Sequence, residues 1–123
     1  MSETQTIVWL PRPEKHDYPA AFSYLSLLYK EDIAEKMVSR LKKSDVGSFK
    51  AKDIFRASAL SLLGVSNGHV HKDREKIING IKLSPLLLVR DSLHGKLIIA
   101  DGYHRLCAVY SFDEDAIIPC QIV

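Results

Sequence analysis

Apolar residues recur along this chain at two different periods, and each change of period marks a new element. Phe22, Leu25 and Tyr29 fall on one side of a helix that Asp17 and Pro19 are placed to start. Ile33, Met37 and Leu41 then repeat every four residues, which predicts a second helix with that row turned inward. Glu31, Asp32 and Glu35 lie early in it and Arg40, Lys42 and Lys43 late, the distribution that the helix dipole favours. Before this pair, residues 7–10 read either as a short strand or as an arm, stopped by Pro11 and Pro13. Residues 48–64 are ambiguous, because 50–57 read as helix whereas 54–63 also suit an extended stretch. Asn67-Gly68 predicts a turn, His69-Val70-His71 an extended loop, and a short helix from Lys72 carries Ile77 and Ile78 to a stop at Gly80.

Beyond Gly80 the pattern becomes strand-like. Residues 85–90 form an apolar run, 91–96 a polar loop containing Gly95, and 97–100 a second strand, which together predict a hairpin. A helix over 102–112 and a strand over 117–123 follow. The expected fold is α+β: one domain over residues 1–123 with a small mixed sheet and a strand-turn-helix, preceded by a helical segment over residues 1–48 packed on it. No repeat or low-complexity segment interrupts the pattern.

Composition narrows the class. With 46% apolar residues in 123, the chain can bury a continuous core. Its longest apolar runs fall far short of the roughly 20 residues a membrane span needs, and residues 1–6 lack the basic start and cleavage site of a secretory signal. A cytoplasmic protein that does not enter a membrane is expected. Cys107 and Cys120 read as buried thiols, since a core of this size needs no disulfide. The net charge of +2 is not diagnostic, but residues 36–56 hold seven Lys or Arg against two Asp, a local +5 that leaves −3 elsewhere. Met37 and Leu41 interleave with these cations, so an ordinary solvated helix face is favoured over a nucleic-acid surface.

The segment with most chemistry is Asp101-Gly102-Tyr103-His104-Arg105. A strand ending at Ala100 and a helix starting after Gly102 leave several backbone N–H groups unpaired at the positive end of a helix dipole, which suits an anion. Helical spacing puts Tyr103, Leu106, Cys107 and Tyr110 on one side and His104, Arg105 and Ala108 on the other, so the basic side is expected to face outward. Arg105 can present a fork to a phosphate, and His104 can donate or exchange a proton near neutral pH. The plain alternative is that Asp101 caps the helix while His104 and Arg105 are solvated. Asp101 can also hold a metal ion or a substrate hydroxyl.

The stretch from about residue 77 to 123 resembles the ParB/sulfiredoxin superfamily. The likeness rests on Leu83-Ser84-Pro85-Leu86-Leu87-Leu88-Val89-Arg90, the turn Asp101-Gly102-Tyr103-His104-Arg105-Leu106-Cys107-Ala108, and Ile118-Pro119-Cys120-Gln121-Ile122. In that superfamily the turn holds nucleotide phosphates, and Asp-Gly-x-His-Arg is nearest to its free-serine-kinase branch. Tyr103 stands where sulfiredoxins carry their cysteine, so sulfiredoxin chemistry is not expected, and no upstream glutamate aligns with a kinase's catalytic one. ParB-type partition proteins continue into a DNA-reading region that this sequence does not show. The resemblance also implies a second phosphate contact near Arg56.

His69 and His71 with Asp73 raise a metal site, but no third ligand stands at a diagnostic spacing and none is assigned. The same loop, with Asn67 and Lys72, is placed to border the turn. The expectation is therefore a nucleotide or phosphorylated small molecule, with Mg2+ as a nucleotide's companion, contacted by Gly102, Tyr103, His104, Arg105 and Arg56. Asp101 and His104 would be catalytic if the protein is a phosphotransferase or hydrolase. The alternative is a non-catalytic module of the same fold that binds nucleic acid or protein.

Overall fold

The computed structural model describes residues 5–64 and 66–123. Residues 1–4, read above for targeting, lie outside them. The elements run α1 (Asp17–Leu28), α2 (Glu31–Lys43), β1 (Gly47–Lys50), α3 (Ala51–Ser58), α4 (Gly68–Ile78), β2 (Leu86–Asp91), β3 (Lys96–Asp101), α5 (Tyr103–Phe112) and β4 (Ile117–Ile122). The strands form one mixed sheet in the order β1-β4-β2-β3. β4 runs antiparallel to β1 and parallel to β2, and β2 pairs with β3 as the expected antiparallel hairpin. This is the α+β class predicted, with the helical pair α1 and α2 preceding the first strand.

Each face of the sheet carries its own layer of helices. Leu86 and Leu88 point with Ile99, Ile118 and Cys120 into a core closed by α3, α4 and α5. Leu87 and Val89 point the other way with Ile98 and Ala100, toward α1 and α2. Period-2 alternation thus puts apolar groups on both faces of β2, which explains its uninterrupted run of leucines. Between the layers Tyr18 Oη donates to the Gln121 side chain at 2.6 Å, and Gln121 donates to the Ser44 carbonyl at 2.9 Å, which satisfies the one fully buried amide. Cys107 and Cys120 are free and buried, as expected.

Several expectations are corrected. α2 buries Ala34, Val38 and Leu41, while Ile33 is exposed and Met37 only half-buried. The row one residue along is used because the small Ala34 lets α1 and α2 approach closely. Of the two readings of residues 7–10 the arm holds, with a single bridge from Trp9 to Leu83. β1 has no counterpart in the sequence reading, because all four of its residues are exposed and its pairing with β4 is made by backbone alone.

The Asn67-Gly68 turn is instead a helix start: Asn67 Oδ1 accepts from the N–H groups of His69 and Val70, capping α4. His69-Val70-His71 is consequently helical rather than extended. At the far end of α4 Gly80, at φ +69°, lets the Gly80 and Ile81 N–H groups return to the Ile77 and Lys76 carbonyls and stop the helix.

Candidate functional site

β3 ends at Asp101, and the chain must turn sharply to start α5. Gly102 makes the turn at φ +107°, where a built Cβ would sit 2.7 Å from Leu86 Cγ and 2.9 Å from the Arg105 guanidinium. Only glycine fits both the dihedral and the space. With Gly102 as the residue before the helix, no side chain caps α5. The Leu106 N–H returns to the Gly102 carbonyl, and among the described residues the Tyr103, His104 and Arg105 N–H groups have no acceptor.

α4 stands opposite this first turn. His69, Lys72, Asp73 and Lys76, spaced three, one and three residues apart, share one helix face and form the second wall of a cleft of about 210 Å³. Asp101, Gly102, Tyr103, His104 and Arg105 form the first. Arg74 clamps the two helices together, with its guanidinium 4.1 Å from the Phe112 ring centre and a hydrogen bond to Ser111. Tyr103 ties the turn to the preceding loop by donating to the Ser61 carbonyl.

The charges are closely set. Arg105 donates to Asp101 at 3.0 Å and to the Pro85 carbonyl at 3.4 Å, and its Nε is buried without a partner. Burial raises the Asp101 carboxyl above the usual range despite Arg105, and nearby Asp17 adds to that rise. Asp17 is itself buried, held by the Ser84 hydroxyl and the Glu14 N–H, so the start of α1 backs the turn. Burial likewise raises Asp73, against the opposing pull of Lys76, Arg105 and the two histidines. The His69 and His104 rings lie 4.8 Å apart. Desolvation and then His69 hold His104 below the ordinary imidazole value.

Of the predicted site residues, Asp101, Gly102, Tyr103, His104 and Arg105 come together at one cleft, and Lys72 borders it. Arg56 does not join them; it lies on α3 beside Lys52, Phe55, Leu60, Leu62, Tyr110 and Glu114. Arg105 does not face outward as its helical position suggested, because its chain folds back along the turn to Asp101, leaving it less than one-fifth exposed. Ala108 on the same side is fully buried. Asp101 is not a cap, since its carboxylate takes Arg105 instead. Helical geometry turns His69 and His71 about 200° apart, and His71 pairs with Glu75 at 2.9 Å, away from the cleft. Among the described residues no three His, Cys, Asp or Glu side chains gather as a metal site.

Lys76 and Asp17 were not read from the sequence as belonging to the site. Lys76 is legible once α4 is known to start at Gly68, from its spacing with His69, Lys72 and Asp73; Asp17 has no sequence signal beyond its place at a helix start.

No family model matches this chain. No curated protein and no solved structure matches it either. No described helix is long and apolar enough to cross a membrane.

Burial raises both thiols, Cys107 against opposing hydrogen bonds and Cys120 to about 11. Both side chains are closed off inside the core.

Proposed function

We propose that the cleft between α4 and α5 binds the phosphate of a nucleotide or another phosphorylated small molecule, in a domain of the ParB/sulfiredoxin type. The observation that carries this reading is the uncapped first turn of α5, whose free N–H groups face a wall bearing Lys72 and Lys76. A helix start supplies about half a positive charge, and Lys72, Lys76 and Arg105 outnumber Asp73 and Asp101. Lys76 and Arg105 each pair with one of those carboxylates, which lowers their repulsion of an anion. At about 210 Å³ the cleft is smaller than the roughly 300–1,000 Å³ of sites that enclose a drug-sized ligand. It accordingly holds the phosphate and leaves the rest of the ligand outside.

The same groups suit phosphotransfer or hydrolysis. Asp101, whose carboxyl burial raises, would take the proton of an attacking hydroxyl or water. Arg105, Lys72 and the α5 N–H groups stabilise the charge that builds on the phosphoryl oxygens, and His104 donates to them. Asp73 and Asp101 also fit Mg2+, which is commonly held by one or two carboxylates together with the substrate's phosphates. That ion would neutralise phosphate charge.

The test is calorimetric titration of inorganic phosphate and of nucleoside mono-, di- and triphosphates, with and without Mg2+. The wild-type protein should bind at least one of them, and a Lys72→Ala, Lys76→Ala double variant should bind it at least about tenfold more weakly. If no phosphate ligand binds, or the double variant binds as tightly, the reading is wrong.

A further inference from the structure

The far side of the hairpin carries a second feature, independent of the phosphate reading. β3 is the last strand in the sheet order, so one of its edges has no neighbour. The hydrogen bonds reveal which residues face that edge. Arg90 donates to the Val123 carbonyl and Val123 donates to the Leu88 carbonyl, so residues 88 and 90 turn their backbone groups toward β4. Leu87, Val89 and Asp91 therefore serve β3, where the register sets Val89 opposite Ile98 and Asp91 opposite Lys96. By alternation the N–H and C=O groups of Leu97 and Ile99 point away from the sheet. No described group bonds them across that edge.

This edge is recessed. Ile99, whose backbone groups point outward, is only 6% exposed, and Leu97 is half-buried. Tyr24 and Leu28 of α1 rise on one side and Ser58 and Leu60 on the other, with Leu93 of the hairpin at one end, around a groove of about 520 Å³. Tyr24, Leu28, Leu60 and Leu93 are all exposed. Backbone groups in a recess are nearly always paired, and an open edge is a template for another strand.

We propose that this groove receives an extended segment of a partner protein, which adds to the sheet as a fifth strand. Two outward N–H and C=O pairs two residues apart demand a backbone with the matching repeat, and the apolar lips demand apolar side chains on both faces of that segment. The recess selects a single peptide segment over the β3 edge of a second copy, because two such edges would have to meet past four sets of lips.

A usable probe is a synthetic peptide carrying the β2 sequence Leu-Leu-Leu-Val-Arg between added lysines, since this sequence already pairs with β3 on its inner edge. Hydrogen exchange read by NMR should show the Leu97 and Ile99 amides protected at least about tenfold more with peptide than without. Two N-methylated peptides, blocked at one or the other alternate pair of amides, should differ: one set should abolish binding and the other leave it. Leu97→Pro removes an outward N–H while sparing the inner ladder, and should weaken peptide binding with little loss of fold. Equal binding of the two methylated peptides, or unprotected Leu97 and Ile99 amides, would overturn the proposal. So would a free protein that sediments as a dimer with those amides already protected, which would make a second copy the occupant.

Discussion

α4 and α5 pack side by side and begin at the same cleft, yet their first turns are finished in opposite ways. Asn67 fills the start of α4 with its own side chain, accepting from two N–H groups. Gly102 leaves the start of α5 empty. A capped helix offers its dipole but few donors, whereas an uncapped one offers both. α4 therefore contributes to the cleft through side chains alone, and α5 through its open backbone donors as well as Tyr103, His104 and Arg105. A glycine, free to take the left-handed dihedral, stands where the donors stay open, and an ordinary cap stands where they are filled.

The largest test of this contrast is Gly102→Ala. A left-handed dihedral and a 2.7 Å approach to Leu86 should together cost about 2–4 kcal/mol and lower Tm by roughly 10 °C. A melt unchanged within a degree or two would show that the turn relaxes freely.

Arg105→Ala should come next, at about 1–2 kcal/mol, because it leaves Asp101 without its cation in a half-buried site. This exceeds the cost expected for a solvated arginine. The loss should shrink at lower pH, because the raised Asp101 carboxyl then takes up a proton and needs no partner. Phosphate binding should fall about ten- to a hundredfold, and Arg105→Lys should recover only part of it, since lysine lacks the planar fork. Calorimetry and thermal melts at pH 5 and 7 check all three.

Asn67→Ala should cost about 1 kcal/mol through the lost α4 cap, with little effect on phosphate binding. If binding falls as far as in the Arg105 variant, the two helix starts act together rather than separately.

The smallest effect is that of pH on His104. Its folded value lies below that of the unfolded chain, so the unfolded state binds the proton first and stability falls as pH drops below about 6.5. An anion in the cleft should reverse this preference. Sulfate, which does not titrate in this range, should bind a few-fold more tightly at pH 5.5 than at pH 7.5, and His104→Gln should flatten that dependence.

Much of the sheet was legible because its central strands are apolar on both faces. The run 85–90, the polar loop and 97–100 could hardly be read otherwise. The cleft was half legible: its strand-turn-helix was marked by Asp101-Gly102 and the residues after it. The α4 wall was hidden by reading Asn67-Gly68 as a turn, which delayed the helix start and hid the shared face of His69, Lys72, Asp73 and Lys76. For α2 the sequence offers two rows, 33-37-41 and 34-38-41, and only packing against α1 chooses between them. Arg56 was placed by resemblance alone, and nothing local to it could have shown that α3 turns it to another cleft. β1 was illegible because backbone pairing leaves no mark in side-chain pattern.

Placing β4 between β1 and β2 has a consequence for how the chain reaches this structure. The strand pairs with partners that precede it by about thirty and by about seventy residues, so the sheet cannot zip up from neighbouring hairpins alone. Until β4 inserts, the inner edge of β2 stays open beside four consecutive buried apolar residues, Leu86 to Val89. Such a segment, unpaired and uncharged, is the kind that associates between molecules before it is covered. Refolding should therefore be slow for a domain of this length and sensitive to protein concentration. Ile118→Ser, which weakens the apolar contacts that draw β4 into place, should sharpen that sensitivity.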